Sequence, residues 1–384
     1  MRTLVSILVL PLYCLSATCA VADEESGRDF ITMTRVLFAA QDATAYGDTK
    51  GIEGQRRAVS ALTNSTLPEL SEFASDPAIV YAFAAYVLSG GRPADAEAYA
   101  RSLELDDRSR QLLQGAAAYM RGNLDDARTG LASVDPLALP PAYGGRVALT
   151  KAMLADAQSV DRERHLSVAM ALMPGTLIEE AALRRSALSF AERGDAKQFW
   201  RRTERYIRRF PKSIYAADFL SGVTDRIIEL YVSGRSARLD ELDRLYATLP
   251  VNRRRQLYLQ LARGATAANV PELAQLAGRH LFRLAVDGSV EQALGTLYTW
   301  AYAVTDHDFE PASERLYAID RHHLGAMDRA ILDAALEMIR LIRAPAGSPA
   351  SIIVGEDEVP EGLRLLQTRA SIAVSSADEL LSSQ

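Results

Sequence analysis

The apolar positions of this chain recur at helical rather than strand spacing. In "AKQFWRRTERYIRRF", Ala196 to Phe210, the residues Phe199, Thr203, Tyr206, Ile207 and Phe210 fall on one face, the i, i+4, i+7 recurrence of an amphipathic helix. No alternating Val/Ile/Thr run between turn residues suggests a sheet. Breakers interrupt the helical pattern at a regular beat: "YVLSGGRPADAEAYA" at Gly90 and Gly91, "YMRGNLDDARTGLA" at Gly122, "FAERGDAKQFW" at Gly194, "YVSGRSARLDEL" at Gly234 and "ATAANVPELAQLA" near Asn269. "LADAQSVDRERHLSVA" near Ser159 is a glycine-free version of the same punctuation.

Counted from Gly91, the steps between these breaks are 31, 37, 35, 40 and 35 residues. A period in the thirties with one turn per unit predicts stacked helical hairpins of tetratricopeptide-like kind. In each, glycine ends the first helix and aspartate or proline opens the second. The full tetratricopeptide consensus is not met. The expected fold is therefore all-α, an irregular helical-hairpin solenoid in which each unit buries an apolar face on its neighbour.

The same pattern sets the expected boundaries. Residues 1–22 form a signal peptide: Arg2, an apolar run from Leu4 to about Leu15, and an A-x-A site at Ala20-Val21-Ala22. Residues 23–75 form an N-terminal helical segment and 76–342 the helical-repeat domain. A Pro/Gly/Ser-rich and then acidic linker covers 343–360, beginning with "RAPAGSPAS". A C-terminal amphipathic helix, 361–384, carries Leu363, Leu366, Ala370 and Val374 on one stripe and is expected to cap the last repeat.

Composition sharpens this picture. Both cysteines, Cys14 and Cys19, lie in the leader, so the mature chain folds without disulfides and offers no thiol chemistry. The basic residues are nearly all arginine, with lysine only at 50, 151, 197 and 212. The formal charge moves from −6 to −7 when the leader is removed, which argues against a nucleic-acid partner. No second apolar run follows the leader, so the mature chain is expected to have no transmembrane segment, and export points to the periplasm.

Motifs for catalysis are missing: no G-x-S-x-G, no phosphate-binding glycine-lysine loop, no dinucleotide fingerprint and no H-E-x-x-H. "DHDFE" from Asp306 to Glu310 and the His322-His323 pair lack helical ligand spacing and read as polar loops. No enzyme, metal or cofactor is expected. The charged residues suggest docking instead. "PGTLIEEAALRRS", Pro174 to Ser186, opens with T-x-x-E, a capping box of Thr176 and Glu179. Glu180 and Arg184 pair at i, i+4 on an exposed face, leaving Glu179 and Arg185 free to meet a partner. Arg201, Arg205, Arg208 and Arg209 form a stripe opposite Phe199 and Ile207, suited to an acidic segment or an anionic wall polymer. The candidate partner-binding residues are thus Glu179, Glu180, Arg184, Arg185, Arg201, Arg205, Arg208 and Arg209. Each also has a purely structural reading, as helix start or solvated face.

Three stretches, "PGTLIEEAALRRS", "YIRRFPKSIYAADF" (Tyr206 to Phe219) and "RRRQLYLQLARGA" (Arg253 to Ala265), resemble the MotC family, periplasmic motility proteins of rhizobia and related alphaproteobacteria. The resemblance implies a non-enzymatic protein that acts in the periplasm with the stator protein MotB and is needed for motor rotation. An exported helical-repeat chain without catalytic motifs also fits a general periplasmic scaffold for another envelope complex. A wall-active hydrolase is the third reading, and it needs a catalytic acid in a cleft.

Overall fold

The computed structural model describes residues 15–64, 76–102, 105–234, 239–305 and 309–344. Residues 1–14 of the expected leader, most of the linker and the whole C-terminal amphipathic segment lie outside them, as do Asp306, His307 and Asp308. Among the described residues every regular element is helical and no strand occurs. The chain divides into two compact units.

The first unit runs to Arg193 and adds Arg201–Ala216. Its helices are α1 (Leu15–Ala45), α2 (Lys50–Asn64), α3 (Pro77–Leu88), α4 (Pro93–Ser102), α5 (Asp107–Arg121), α6 (Leu124–Ala132), α7 (Pro141–Leu154), α8 (Val160–Leu172) and α9 (Leu177–Glu192). The second comprises Gly194–Trp200 and the chain from Ala217 onward. The helix α10 (Ala196–Arg209) is shared between the two. α11 (Ala216–Val232), α12 (Leu239–Ala247), α13 (Val251–Ala267), α14 (Pro271–Leu284), α15 (Val290–Trp300), α16 (Phe309–Tyr317) and α17 (Ala326–Arg343) follow.

The breakers are where the sequence places them. Gly90, Gly122, Gly194, Gly234 and Asn269 all turn with positive φ between helices. Ser159 caps α8 by accepting from the Arg162 N–H at 3.1 Å. Asn269, with φ 54, is the non-glycine residue in this conformation among those described; asparagine tolerates it best after glycine. Each step of the sequence period holds two helices, from α4 with α5 to α12 with α13.

Helices adjacent in sequence pack together, as α5 does with α6, α7 with α8 and α14 with α15. The first unit adds contacts between distant helices: α1 lies against α3 and α9, and α3 against α7. Its core is aromatic at one end, where Phe83 stacks on Phe30 at 5.5 Å and on Tyr99 at 5.0 Å between ring centroids. In the second unit, Asp328 of α17 is buried and accepts from Arg263 of α13 at 2.7 Å and the Tyr298 hydroxyl of α15 at 2.6 Å. The expected apolar face of α10 is buried at all five positions. With that face buried, Arg205 and Arg209 reach Glu179 of α9.

Candidate functional site at the start of α9

The turn before α9 is built by local hydrogen bonds. Thr176 adopts extended backbone, and its hydroxyl oxygen accepts from the N–H groups of Ile178 at 3.2 Å and Glu179 at 3.5 Å. Glu179 closes the loop from its side, but accepts from the Gly175 N–H at 2.7 Å rather than from Thr176. The capping box of the sequence is therefore present with its return bond shifted by one residue. Two carboxylates in the first turn also face the positive end of the helix dipole.

Neither carboxylate reaches solvent. Glu179 and Glu180 are both 0% exposed, so the expectation that Glu179 points outward is corrected. A buried carboxylate is tolerated only when its lone pairs are satisfied and its charge is matched. Glu179 meets both conditions with Arg205 at 2.7 Å and Arg209 at 2.8 Å, both from α10, besides Gly175. Glu180 accepts from the Tyr206 hydroxyl at 2.7 Å, the Ser213 hydroxyl at 3.0 Å and Arg184 Nε at 2.9 Å. The Glu180–Arg184 pair is thus formed as the spacing predicts, yet in the interior instead of on an exposed face. Burial, and then the charge of Glu180, push the Tyr206 phenol well above its ordinary pKa.

Arg185 is also corrected. It is half-buried, with Nε directed at Met153 Sδ at 2.8 Å, and burial followed by the neighbouring Arg184 charge holds its pKa below the usual value. Arg202, which the stripe leaves out, pairs with Glu163 of α8 at 2.9 Å. Glu163 accepts in addition from the Ser186 hydroxyl of α9 at 2.8 Å. Three carboxylates, Glu163, Glu179 and Glu180, thereby tie α8, α9 and α10 together.

The remaining arginines divide by exposure. Arg205 and Arg209 hold Glu179 with one edge while about two-fifths of each side chain stays in water, 38% and 40%. Arg201 and Arg208 are exposed. Arg208 lies 3.8 Å from the equally exposed Glu204, a pair worth about 0–1 kcal/mol.

Sequence reasoning missed the other half of this site, the end of α1. The Tyr46 hydroxyl donates to the Gly175 carbonyl at 2.8 Å, Asp42 accepts from the Leu177 N–H at 2.8 Å, and the Ile214 N–H donates to the Thr44 carbonyl at 3.2 Å. Gly47, with φ 92, passes so near the Lys212 carbonyl that a Cβ there would sit 2.4 Å from its oxygen, so only glycine fits. Burial raises the Asp42 pKa against the opposing pull of the Leu177 N–H and Arg146. Arg146 itself is pushed down to about 10 by burial, with its guanidinium 3.7 Å above the Phe38 ring. Nothing in these residues' local spacing announces contacts made more than a hundred positions away.

Chemically, this arrangement can hold helices in register and present a cationic edge. No group of three or more His, Cys, Asp or Glu able to hold a metal occurs among the described residues. The class defined by fold and site is a protein all-helical over the described residues, in which the buried carboxylates Glu179 and Glu180 are paired with arginines at the junction of α9 and α10. The model of the family "Chemotaxis protein MotC" matches residues 1–379, and the chain belongs to that family. It is 32% identical over 345 residues to the chemotaxis protein MotC of Rhizobium meliloti (strain 1021), covering 86% of this chain and 76% of the relative. No solved structure matches the chain. Among the described residues, no helix is long and apolar enough to cross a membrane.

Proposed function

We propose that this chain is an exported, non-enzymatic motility protein of the periplasm that binds the periplasmic part of the stator protein MotB and so supports flagellar rotation. The observation that carries the reading is membership of the MotC family over nearly the whole chain. The leader pattern at residues 1–22 supports export. Two helices per sequence step support a hairpin-repeat scaffold, a kind of architecture whose extended surfaces suit protein partners.

Within this reading the docking face is the outer edge of α10. Arg201 and Arg208 provide exposed charge, and the solvent-facing parts of Arg205 and Arg209 extend the stripe. Glu179, Glu180 and Arg184 act behind it by fixing α10 on α9. The test is binding of the mature chain, residues 23–384, to purified periplasmic MotB from the same organism. Saturable binding is expected; a folded helical protein that shows none at micromolar concentrations contradicts the assignment and leaves a scaffold for another envelope complex.

A further inference from the structure

The last described helix carries more apolar surface than its neighbours cover. α17 packs on α15 and α16 and buries Ile331, Leu332, Ala335 and Ile339. Beside that face runs a second stripe, Met327, Ala330, Ala334 and Leu341. The described residues cover it only in part: Met327 is 44% exposed and the other three are half-buried. A helix that ends a stacked array needs a cover over such a stripe.

The chain itself supplies one. Residues 345–384 follow α17 and lie outside the described residues, and the family match runs on through them to residue 379. Read backwards, Ala377, Val374, Ala370 and Leu363 are spaced 3, 4 and 7 residues apart. Met327, Ala330, Ala334 and Leu341 have the same spacing read forwards. An antiparallel pair of helices therefore sets Ala377 on Met327, Val374 on Ala330, Ala370 on Ala334 and Leu363 on Leu341. Small residues fall in the middle, where two packed helices come closest.

Charge follows the same mirrored order. Along α17 come Arg329, then Asp333 and Glu337, then Arg340 and Arg343. Along the tail in reverse come Asp378 and Glu379, then Arg369 and Arg364, then Glu361 and the acids of "GEDEVP". Opposite signs meet at each step. Arg329 is exposed and in no ion pair among the described residues. Asp333, Glu337, Arg340 and Arg343 are held in exposed pairs, contacts weak enough to exchange for a new partner.

Reach is sufficient. α17 has 18 residues and a length of about 27 Å. The connecting residues 345–360 span up to about 55 Å when extended. A tether of that kind holds the tail at an effective concentration on the order of millimolar, so even a modest stripe would be occupied.

We propose that residues 361–381 fold back as a helix antiparallel to α17, cover the stripe from Met327 to Leu341, and close the array at its C-terminal end. The proposal concerns the chain's own tail and does not rest on the stator reading.

The experiment uses the mature chain, residues 23–384, which contains no cysteine, so a pair can be introduced cleanly. Ala334→Cys with Ala370→Cys should form a disulfide within one molecule under mild oxidation. Met327→Cys with Leu363→Cys, which the antiparallel register places at opposite ends, should do so at least tenfold more slowly. In the first pair's background, Leu363→Asp with Val374→Asp should slow the crosslink at least tenfold. Arg329→Glu should slow it severalfold, and adding Asp378→Lys and Glu379→Lys should restore it. Equal rates for the two cysteine pairs would overturn the register, and no crosslink within the molecule in either would overturn the docking. A crosslink formed only between molecules, and faster at higher protein concentration, would give the stripe to a second copy of the chain instead. An unchanged rate in the Leu363→Asp/Val374→Asp variant would overturn the apolar stripe as the basis of the contact.

Discussion

At the scale of single residues, the interior of this protein is unusually committed to paired charge. Glu180 is fully buried and keeps three donors, so Glu180→Ala would strand the Tyr206 and Ser213 hydroxyls and part of Arg184. Removing one partner of a buried ionic network costs about 3–5 kcal/mol, and chemical denaturation should show a loss of that size. Arg208→Ala breaks only the exposed contact with Glu204 and should shift stability by less than about 0.5 kcal/mol. The buried tyrosines give a second residue-scale signature. Burial raises the phenol pKa of Tyr206, Tyr246, Tyr258 and Tyr298, and that of Tyr99 to about 12, from the ordinary 10.0. Below about pH 10 a tyrosine is neutral whether the chain is folded or not. Above it the unfolded chain releases its phenolic protons first, so stability is intact at pH 9 and declines as pH rises past 10. A spectrophotometric titration of the 15 tyrosines should therefore be biphasic, the late phase coinciding with unfolding.

At the scale of elements, the start of α9 is a junction rather than a surface motif. Its cap is local, and Thr176→Ala should cost about 1 kcal/mol in thermal or denaturant melts. Its clasp to α1 is not local. Asp42→Ala should accelerate hydrogen exchange of the Leu177 amide while leaving the amides in the middle of α14, in the other unit, unchanged. Legibility follows the same division. The turns at Gly90, Gly122, Gly194, Gly234 and Asn269, and the buried face of α10, could be read because φ preference and helical period are properties of a few adjacent residues. Burial of Glu179 and Glu180 could not. Acid-acid and arginine-arginine doublets at i, i+4 look alike on an exposed face and in an interior, and the deciding partners, Arg205, Arg209, Tyr206 and Ser213, stand about thirty residues further on. Docking of α1 was still less visible, because Asp42 and Tyr46 carry no pattern that names Leu177 and Gly175.

At the scale of the whole molecule, a chain of net charge −6 concentrates exposed arginine on one edge of α10, with acids neutralising that edge from beneath. Charge placed this way affects encounter with an acidic partner more than it affects stability. Two roles are separated: Glu179 and Glu180 keep the helices together, and in the proposed function Arg201 and Arg208 meet MotB. The most direct measurement is the affinity of residues 23–384 for periplasmic MotB, taken at two salt concentrations, for the parent chain and for the Arg201→Glu/Arg208→Glu variant. The account predicts an unchanged melting temperature, an affinity reduced at least tenfold and a shallower salt dependence in the variant. Equal affinity and equal salt dependence of the two proteins would contradict it.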